Sequence, residues 1–191
     1  LSAAAKEYIK VYGVLIGKKP LIFTNNDSAY ETAIEFKKHG VDPIILDTRE
    51  DQNSDLINEA KSLNIIIKFS YAVIAANGYK KVKSALVGKL NKDKSNFENT
   101  ETIDCDCICV SGFWTPTVHL ASQSGNKLKF NEKIDAFVPD QSKQNEQSIG
   151  AANGTFNLKE TLENGFKIGS ETSKKITNQE INIQIPNTNE P

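Results

Sequence analysis

PLIFTNNDSAYETAIEFKKHGVDPIILD, residues 20–47, carries the pattern of a βαβ unit. Residues 20–24 and 43–47 are short apolar runs, as buried parallel strands are. Between them, residues 28–39 place apolar and charged side chains on opposite faces at helical spacing, and Gly40 follows as a helix C-cap. We therefore predict strand, tight loop, amphipathic helix and strand, joined by a right-handed crossover.

The loop between this first strand and its helix lacks the glycines of a working dinucleotide site. Such glycines let backbone N–H groups approach a pyrophosphate at the helix N-terminus. Here Asn25, Asn26 and Asp27 stand in their place, although the second strand keeps its terminal acid, Asp47. We favour a scaffold that has lost its nucleotide. The alternative is a modified site in which the asparagine amides act as donors.

The flanking sequence extends the same fold. Periodicity predicts a helix at 3–12 and another at 56–63, and the Asn77-Gly78 pair predicts a hairpin. Residues 90–101 are polar and are interpreted as a connector, and residues from 170 onward as a linker. The remaining predicted elements are strands at 65–68, 72–76, 79–87 and 103–110 and a helix from about Leu158 to Ile168.

Three cysteines, Cys105, Cys107 and Cys109, alternate along a predicted strand and would share one face. Zinc-binding cysteines usually lie on turns, and no fourth ligand is evident, so we predict buried small side chains and no metal. An odd, clustered set is also a poor disulfide framework, which favours a reducing, cytoplasmic compartment. No catalytic triad is evident.

The composition excludes some function classes. The 191 residues carry a formal net charge of -1, with 38% hydrophobic and 25% charged residues, so neither a nucleic-acid partner nor a membrane span is expected. Arg49 is the only arginine, a bias attributed to an AT-rich genome. The chain begins at Leu1 and contains no methionine, and we expect it to be a piece of a longer protein.

A second small-residue turn, GAANG at 150–154, precedes the predicted helix at Leu158. Small residues before a helix N-terminus allow a pyrophosphate or ribose to approach backbone donors. An ordinary loop-to-helix junction has the same composition, so both interpretations stay open.

Residues 23–51 resemble the second nucleotide domain of thioredoxin-reductase-like flavoproteins, with Thr24-Asn25-Asn26 where that family has glycines. CDCICVSGFWTP, residues 105–116, resembles the later strand and turn of the same family. The resemblance implies an α/β, FAD/NAD(P)-binding-type, three-layer ββα Rossmann-like domain. It also implies a C-terminal segment that returns to a partner nucleotide domain.

Three longer runs resemble the family of heterotetrameric sarcosine oxidase alpha subunits: residues 11–30, 110–130 and 150–165. That resemblance implies a helix and linker at 1–19 from a preceding nucleotide domain. It implies a degenerate second domain at 20–145, a return segment at 146–170 that completes the first NAD-binding domain, and a linker at 171–191. The glycine fingerprint of the first domain would lie upstream.

The same resemblance implies a function. NAD would be bound by the alpha subunit, with FAD and FMN elsewhere in the complex, tetrahydrofolate as co-substrate, and beta, gamma and delta subunits as partners. Sarcosine would be demethylated to glycine with oxygen, giving hydrogen peroxide and methylene-tetrahydrofolate, and no catalytic residue falls on this chain. Rival hypotheses are a proline, opine or cyanide-forming dehydrogenase and a non-catalytic assembly module. The implied NAD contacts are Ala151, Asn153, Gly154, Phe156 and Leu158.

Overall fold

The computed structural model describes residues 1–178 and residue 185. The chain divides into two compact units, the first spanning Leu1–Phe113 and the second beginning at Trp114. The elements of the first unit are α1 (Ser2–Tyr12), β1 (Pro20–Thr24), α2 (Ser28–Lys38), β2 (Ile44–Asp47), α3 (Asp55–Ser62), β3 (Ile66–Phe69), β4 (Tyr71–Gly78), β5 (Val82–Leu90), β6 (Phe97–Asp104) and β7 (Cys107–Ser111).

The first unit is built on a four-stranded parallel sheet in the order β3-β2-β1-β7. A separate antiparallel sheet has the order β4-β5-β6. Successive strand residues point to opposite faces, so neighbours in β1 enter different cores. Ile22 packs with the buried residues of the three helices, whereas Leu21 packs with Ala85 and Val87 of the antiparallel sheet.

Helices, parallel sheet and antiparallel sheet therefore form three layers with a core on each side of the parallel sheet. The predicted α/β, three-layer ββα fold is confirmed. The predicted βαβ unit is confirmed too, with its strands at Pro20–Thr24 and Ile44–Asp47 and its helix at Ser28–Lys38.

The predicted hairpin joins β4 to β5, but its turn lies at 79–81: Asn77 and Gly78 are the last residues of β4 and pair with Ser84 and Val82. Gly78 has φ 151°, and a Cβ on it would lie 2.0 Å from the carbonyl oxygen of Lys81. Only glycine fits this close approach of backbone to backbone.

Two expectations around the cysteines were wrong. The predicted connector at 90–101 contains the start of β6. This strand is exposed on both faces along most of its length, so its polar sequence lacks the apolar alternation that predicts a strand. The predicted single strand at 103–110 is divided between two sheets, because the chain leaves β6 at Asp104 and enters β7 at Cys107. Cys105 consequently lies in the core beside the antiparallel sheet, and Cys109 lies in the core beside the helices.

The second unit contains less regular structure. Its last helix continues nine residues beyond the predicted end at Ile168, through Gly169 to Thr177, and ends at Asn178 with φ 56°. The predicted linker at 171–191 is therefore helical at its start, and most of the rest lies outside the described residues. The elements of the second unit are α4 (His119–Gln123), β8 (Leu128–Asn131), β9 (Ala136–Pro139), a 3₁₀ turn (Gly150–Asn153) and α5 (Leu158–Thr177).

Within the part of the chain that the structure describes, no helix combines the length and apolarity needed to cross a membrane.

Candidate functional site

The loop after β1 is occupied by its own side chains. Asn26 Oδ1 accepts hydrogen bonds from the N–H and the hydroxyl of Ser28, at 3.2 and 2.6 Å, in the first turn of α2. Asn26 Nδ2 donates to the carbonyl oxygen of Gly112, after β7, at 2.6 Å. A phosphate at this helix N-terminus would need the donors that Asn26 already uses. The side-chain amide of Asn26 therefore makes its hydrogen bonds within the protein.

The acid at the end of β2, Asp47, also accepts its hydrogen bonds from within the chain. Asp47 is fully buried, and its carboxylate accepts a hydrogen bond from the Tyr30 hydroxyl at 2.8 Å. Arg49 donates to the same carboxylate from its backbone N–H and Nε, each at 3.0 Å, and from Nη2 at 2.8 Å. In a working dinucleotide fold this acid would bind the ribose hydroxyls. Here four donors of the chain itself surround it.

Arg49 connects the two sides of this edge. Its Nη2 also donates to Asp27 Oδ1 at 2.6 Å, so one guanidinium bridges the end of β2 and the loop after β1. The negative charge of Asp27 is therefore compensated within the chain. A guanidinium fork suits two carboxylates better than an ammonium group does.

The electrostatics of the bridge favour one charge state. Hydrogen bonding to Asp47 raises the pKa of Arg49. Burial, followed by the hydrogen bond to Asp47, raises the pKa of Tyr30 well above its ordinary value. In this cluster a neutral phenol and a charged guanidinium both donate hydrogen bonds to the buried Asp47 carboxylate. The carboxylate therefore has no position left to accept a hydrogen bond from a ribose hydroxyl.

The turn before α5 has the opposite construction. The 3₁₀ turn is followed by Gly154 at φ 81°, whose N–H donates to the Ala151 carbonyl oxygen at 3.3 Å. A Cβ at Gly154 would lie 2.6 Å from Cδ1 of Ile134, so the backbone passes close to its neighbours. Asn157 then caps α5 by accepting from the Glu160 N–H at 3.0 Å. Ala151 and Asn153 remain exposed on this turn.

Two aromatic rings lie beside the turn. The Trp114 and Phe156 ring centroids are 6.5 Å apart with the planes inclined by 38°. Trp114 is 58% exposed and Phe156 38%. An exposed, tilted aromatic pair provides apolar area against which a flat ring can pack.

Asn153 also lines two cavities of the second unit. The larger, of about 360 Å³, is polar and is bounded by the β8–β9 hairpin and the segment after it. The smaller, of about 290 Å³, is bounded by the middle of α5, from Asn164 to Glu171. Among the lining residues of the larger are Asn126, Lys129, Asp140, Glu146 and Ser148.

The five residues implied as NAD contacts thus lie in one continuous segment, from the 3₁₀ turn to the first residue of α5. Their role as contacts stays a prediction. Sequence reasoning missed the bridge formed by Arg49 and the ring of Trp114. The single arginine of a lysine-rich chain was a signal for the first, although it was attributed to genome composition. No group of three metal-ligating side chains is placed to hold a metal among the residues that the structure describes.

No protein-family model matches the chain. It is 29% identical over 187 residues to the sarcosine oxidase subunit alpha of Corynebacterium sp. (strain P-1), covering 97% of this chain and 19% of that protein. It is 30% identical over 166 residues to the subunit of the same name from Rhizobium meliloti (strain 1021), covering 86% of this chain and 16% of that protein. The chain therefore spans less than a fifth of the length of these curated relatives.

Solved structures share the fold at low sequence identity. The thioredoxin reductase of Lactococcus lactis matches with a TM-score of 0.61 and 14% identity, over 84% of this chain and 54% of that chain. The thioredoxin reductase of T. acidophilum matches with a TM-score of 0.54 and 15% identity, over 81% and 51%. The chain is thus a relative of sarcosine oxidase alpha subunits, similar to one segment of them and folded like part of a thioredoxin reductase.

Proposed function

We propose that this chain is part of the alpha subunit of a sarcosine-oxidase-type oxidoreductase. In this proposal sarcosine is oxidatively demethylated to glycine with oxygen and tetrahydrofolate, giving hydrogen peroxide and methylene-tetrahydrofolate. The observation that carries it is the similarity to alpha subunits of that name along 86–97% of the chain. FAD and FMN would belong to the rest of a complex with beta, gamma and delta subunits, which would contain the catalytic residues.

The contribution of this chain would be part of an NAD site. Ala151, Asn153 and Gly154 would face the dinucleotide through backbone and small side chains, while Phe156 and Leu158 would supply apolar contact. The left-handed Gly154, where a side chain would be strained, and the N-terminus of the 20-residue helix α5 support this proposal. Helix N-termini favour negatively charged groups such as a pyrophosphate.

The first unit would act as a scaffold in the same protein. In the loop after β1, Asn26 is hydrogen-bonded to Gly112, and the acid at the end of β2, Asp47, is hydrogen-bonded to Arg49. Both contacts support a nucleotide-free role. The same geometry suits the rival hypothesis of a non-catalytic assembly module. Three free thiols support a reducing, cytoplasmic compartment.

The test uses the natural gene product that contains this sequence, purified together with its bound partners. With sarcosine we expect oxygen consumption, hydrogen peroxide release and glycine formation. Oxidation of proline in place of sarcosine would instead favour a dehydrogenase of the rival class. A purified complex that lacks flavin would contradict both enzyme hypotheses.

The NAD proposal is tested on the same complex by acid release and quantification of the nucleotide. Phe156→Ala should lower the NAD content. Phe130→Ala is the matched control, because Phe130 belongs to another exposed aromatic pair in the second unit, with Phe137. Equal NAD content in both variants would overturn the assignment of Phe156 while leaving the sarcosine activity to be judged separately.

A further inference from the structure

Two cysteines of β7 lie side by side in a way the proposed function does not use. Cys107 and Cys109 occupy alternate positions of the strand, so both side chains point toward the helix layer. Their sulfur atoms are 3.6 Å apart. Cys105 lies in the other core, packed with Leu21 and Val87, and is separated from the pair by the parallel sheet.

The two thiols differ in access and in acidity. Cys107 is half-buried, whereas Cys109 is buried. The hydrogen bond with Cys109 lowers the pKa of Cys107 to about 7, and the same hydrogen bond raises the pKa of Cys109. An accessible thiol with increased thiolate character beside a protected thiol is the arrangement of an attacking and a resolving cysteine.

We propose that Cys107 and Cys109 form a reversible two-electron redox site that reacts with hydroperoxides. The Cys107 thiolate attacks the terminal oxygen of a hydroperoxide, the O–O bond breaks, and Cys107 becomes a sulfenic acid while water or an alcohol leaves. The Cys109 thiol then attacks that sulfur, an S–S bond forms, and the sulfenic oxygen leaves as water. Two thiols are oxidised and one peroxide is reduced.

The strand geometry sets the character of the bond. Alternate residues of a strand have Cα atoms about 6.6 Å apart, near the upper end of the range that disulfides span. Closing the bond from 3.6 Å therefore requires a local shift of β7. Among the residues that the structure describes, this strand lies at the edge of its sheet and pairs only with β1, so fewer hydrogen bonds resist the shift. A disulfide strained in this way is easily reduced again.

The site does not depend on the proposed enzyme activity. Hydrogen peroxide is the product expected of a sarcosine-oxidase-type reaction, but the thiol chemistry can be tested with added peroxide on the 191-residue chain. Failure of the thiol test leaves the sarcosine proposal intact, and failure of the sarcosine assay leaves the thiol proposal intact.

The test counts free thiols. The reduced chain is freed of reductant, treated with hydrogen peroxide, unfolded and labelled with a maleimide, and the labels are counted by intact mass. The wild-type chain should fall from three labels to one, and Cys105→Ala from two to none, with all labels restored by dithiothreitol. Cys109→Ala should leave a sulfenic acid at Cys107 that dimedone captures. Cys107→Ala should keep both of its labels.

Three outcomes would overturn the proposal. The first is a wild-type chain that keeps three labels under conditions where Cys107 of Cys109→Ala is modified. The second is a disulfide that includes Cys105, identified by fragment masses in the wild-type chain. The third is over-oxidation of Cys107 in the wild-type chain without an S–S bond. The wild-type measurements alone decide the matter if a variant fails to fold.

Discussion

Two loop-to-helix junctions of this protein, the loop before α2 and the turn before α5, differ in what occupies them. At the first, Asn26 and Arg49 fill the space at the N-terminus of α2 with hydrogen bonds to Ser28 and Asp47. At the second, Gly154 keeps the backbone close to its neighbours, Ala151 and Asn153 are exposed, and the Thr161 hydroxyl of α5 donates to the carbonyl oxygen of Thr155 at 3.1 Å.

The difference shows two uses of the same junction. Side chains that bond to one another convert a ligand-binding edge into a fixed structural joint, because buried polar groups are then satisfied without a ligand. Glycine and alanine do the reverse, since they provide no side chain to replace the ligand. Each of the following predictions tests one side of this contrast.

The largest expected effect is at the Arg49 bridge. Arg49→Ala leaves the Asp47 carboxylate buried without its cation, and we expect the free energy of unfolding to fall by about 3 kcal/mol. Denaturant unfolding of the chain measures this change. Lys38→Ala is the control, because the Lys38–Glu59 pair is exposed at 3.2 Å and its loss should cost less than about 1 kcal/mol.

The double variant Asp47→Asn, Arg49→Ala separates the charge from the packing. With no buried carboxylate left, it should be more stable than Arg49→Ala alone, a coupling that neighbouring residues of one network show. Equal stability of the two variants would contradict the buried-charge explanation.

Removal of the Tyr30 hydroxyl should have the next largest effect. Tyr30→Phe deletes one hydrogen bond to the buried carboxylate while keeping the ring, at an expected cost of about 2 kcal/mol in the free energy of unfolding. Tyr79→Phe is a matched control, since Tyr79 is 92% exposed and its change should be neutral. A loss equal for both tyrosines would exclude the hydrogen bond as the cause.

A smaller effect is expected at the second junction. Gly154→Ala adds a side chain to a residue with φ 81° and places its Cβ 2.6 Å from Cδ1 of Ile134. This change should weaken the turn by about 1 kcal/mol. Hydrogen exchange at the first amides of α5 should become faster. Gly169→Ala, inside α5 with no atom in the way of its Cβ, should slow that exchange, because alanine favours helix over glycine.

The smallest effect is expected from NAD itself. Titration of the 191-residue chain should give weak binding or none, because the proposed glycine fingerprint of the NAD site is not part of this sequence. Amide chemical shifts would report any contact, and we expect changes only near residues 150–158. Shifts centred on residues 24–28, or micromolar affinity, would refute the contrast between the two junctions.

Much of the first unit was predictable because its signals are local. The apolar runs of β1 and β2 and the amphipathic α2 each specify their own geometry, and Asn77-Gly78 indicated a hairpin whose turn lies just after that pair. The break at Cys105-Asp106 was not predictable, since it depends on the Asp106 carboxylate accepting from the distant N–H groups of Lys18 and Lys19. Such contacts leave no periodic pattern in the sequence.

The other errors also have physical causes. Helix α5 was predicted to end at Ile168 because a polar run follows, yet the helix continues through that run, weak helix formers included, and ends at Asn178, whose backbone is left-handed. The five implied NAD residues came from a resemblance, and their spacing alone would not have singled them out. The Arg49 bridge joins residues from two strand ends, which only the fold brings together.

The pairing of β1 with β7 has a consequence for how the chain folds. β1 lies between β2 and β7, and its residue Pro20 pairs with Cys107 far along the sequence. Contacts of such long range form slowly, because closing the large intervening loop costs entropy before the pairing stabilises it. On a ribosome, β1 and β2 would emerge early with one strand edge unpaired until β7 arrives. That edge is where we expect nascent chains to aggregate or to recruit a chaperone.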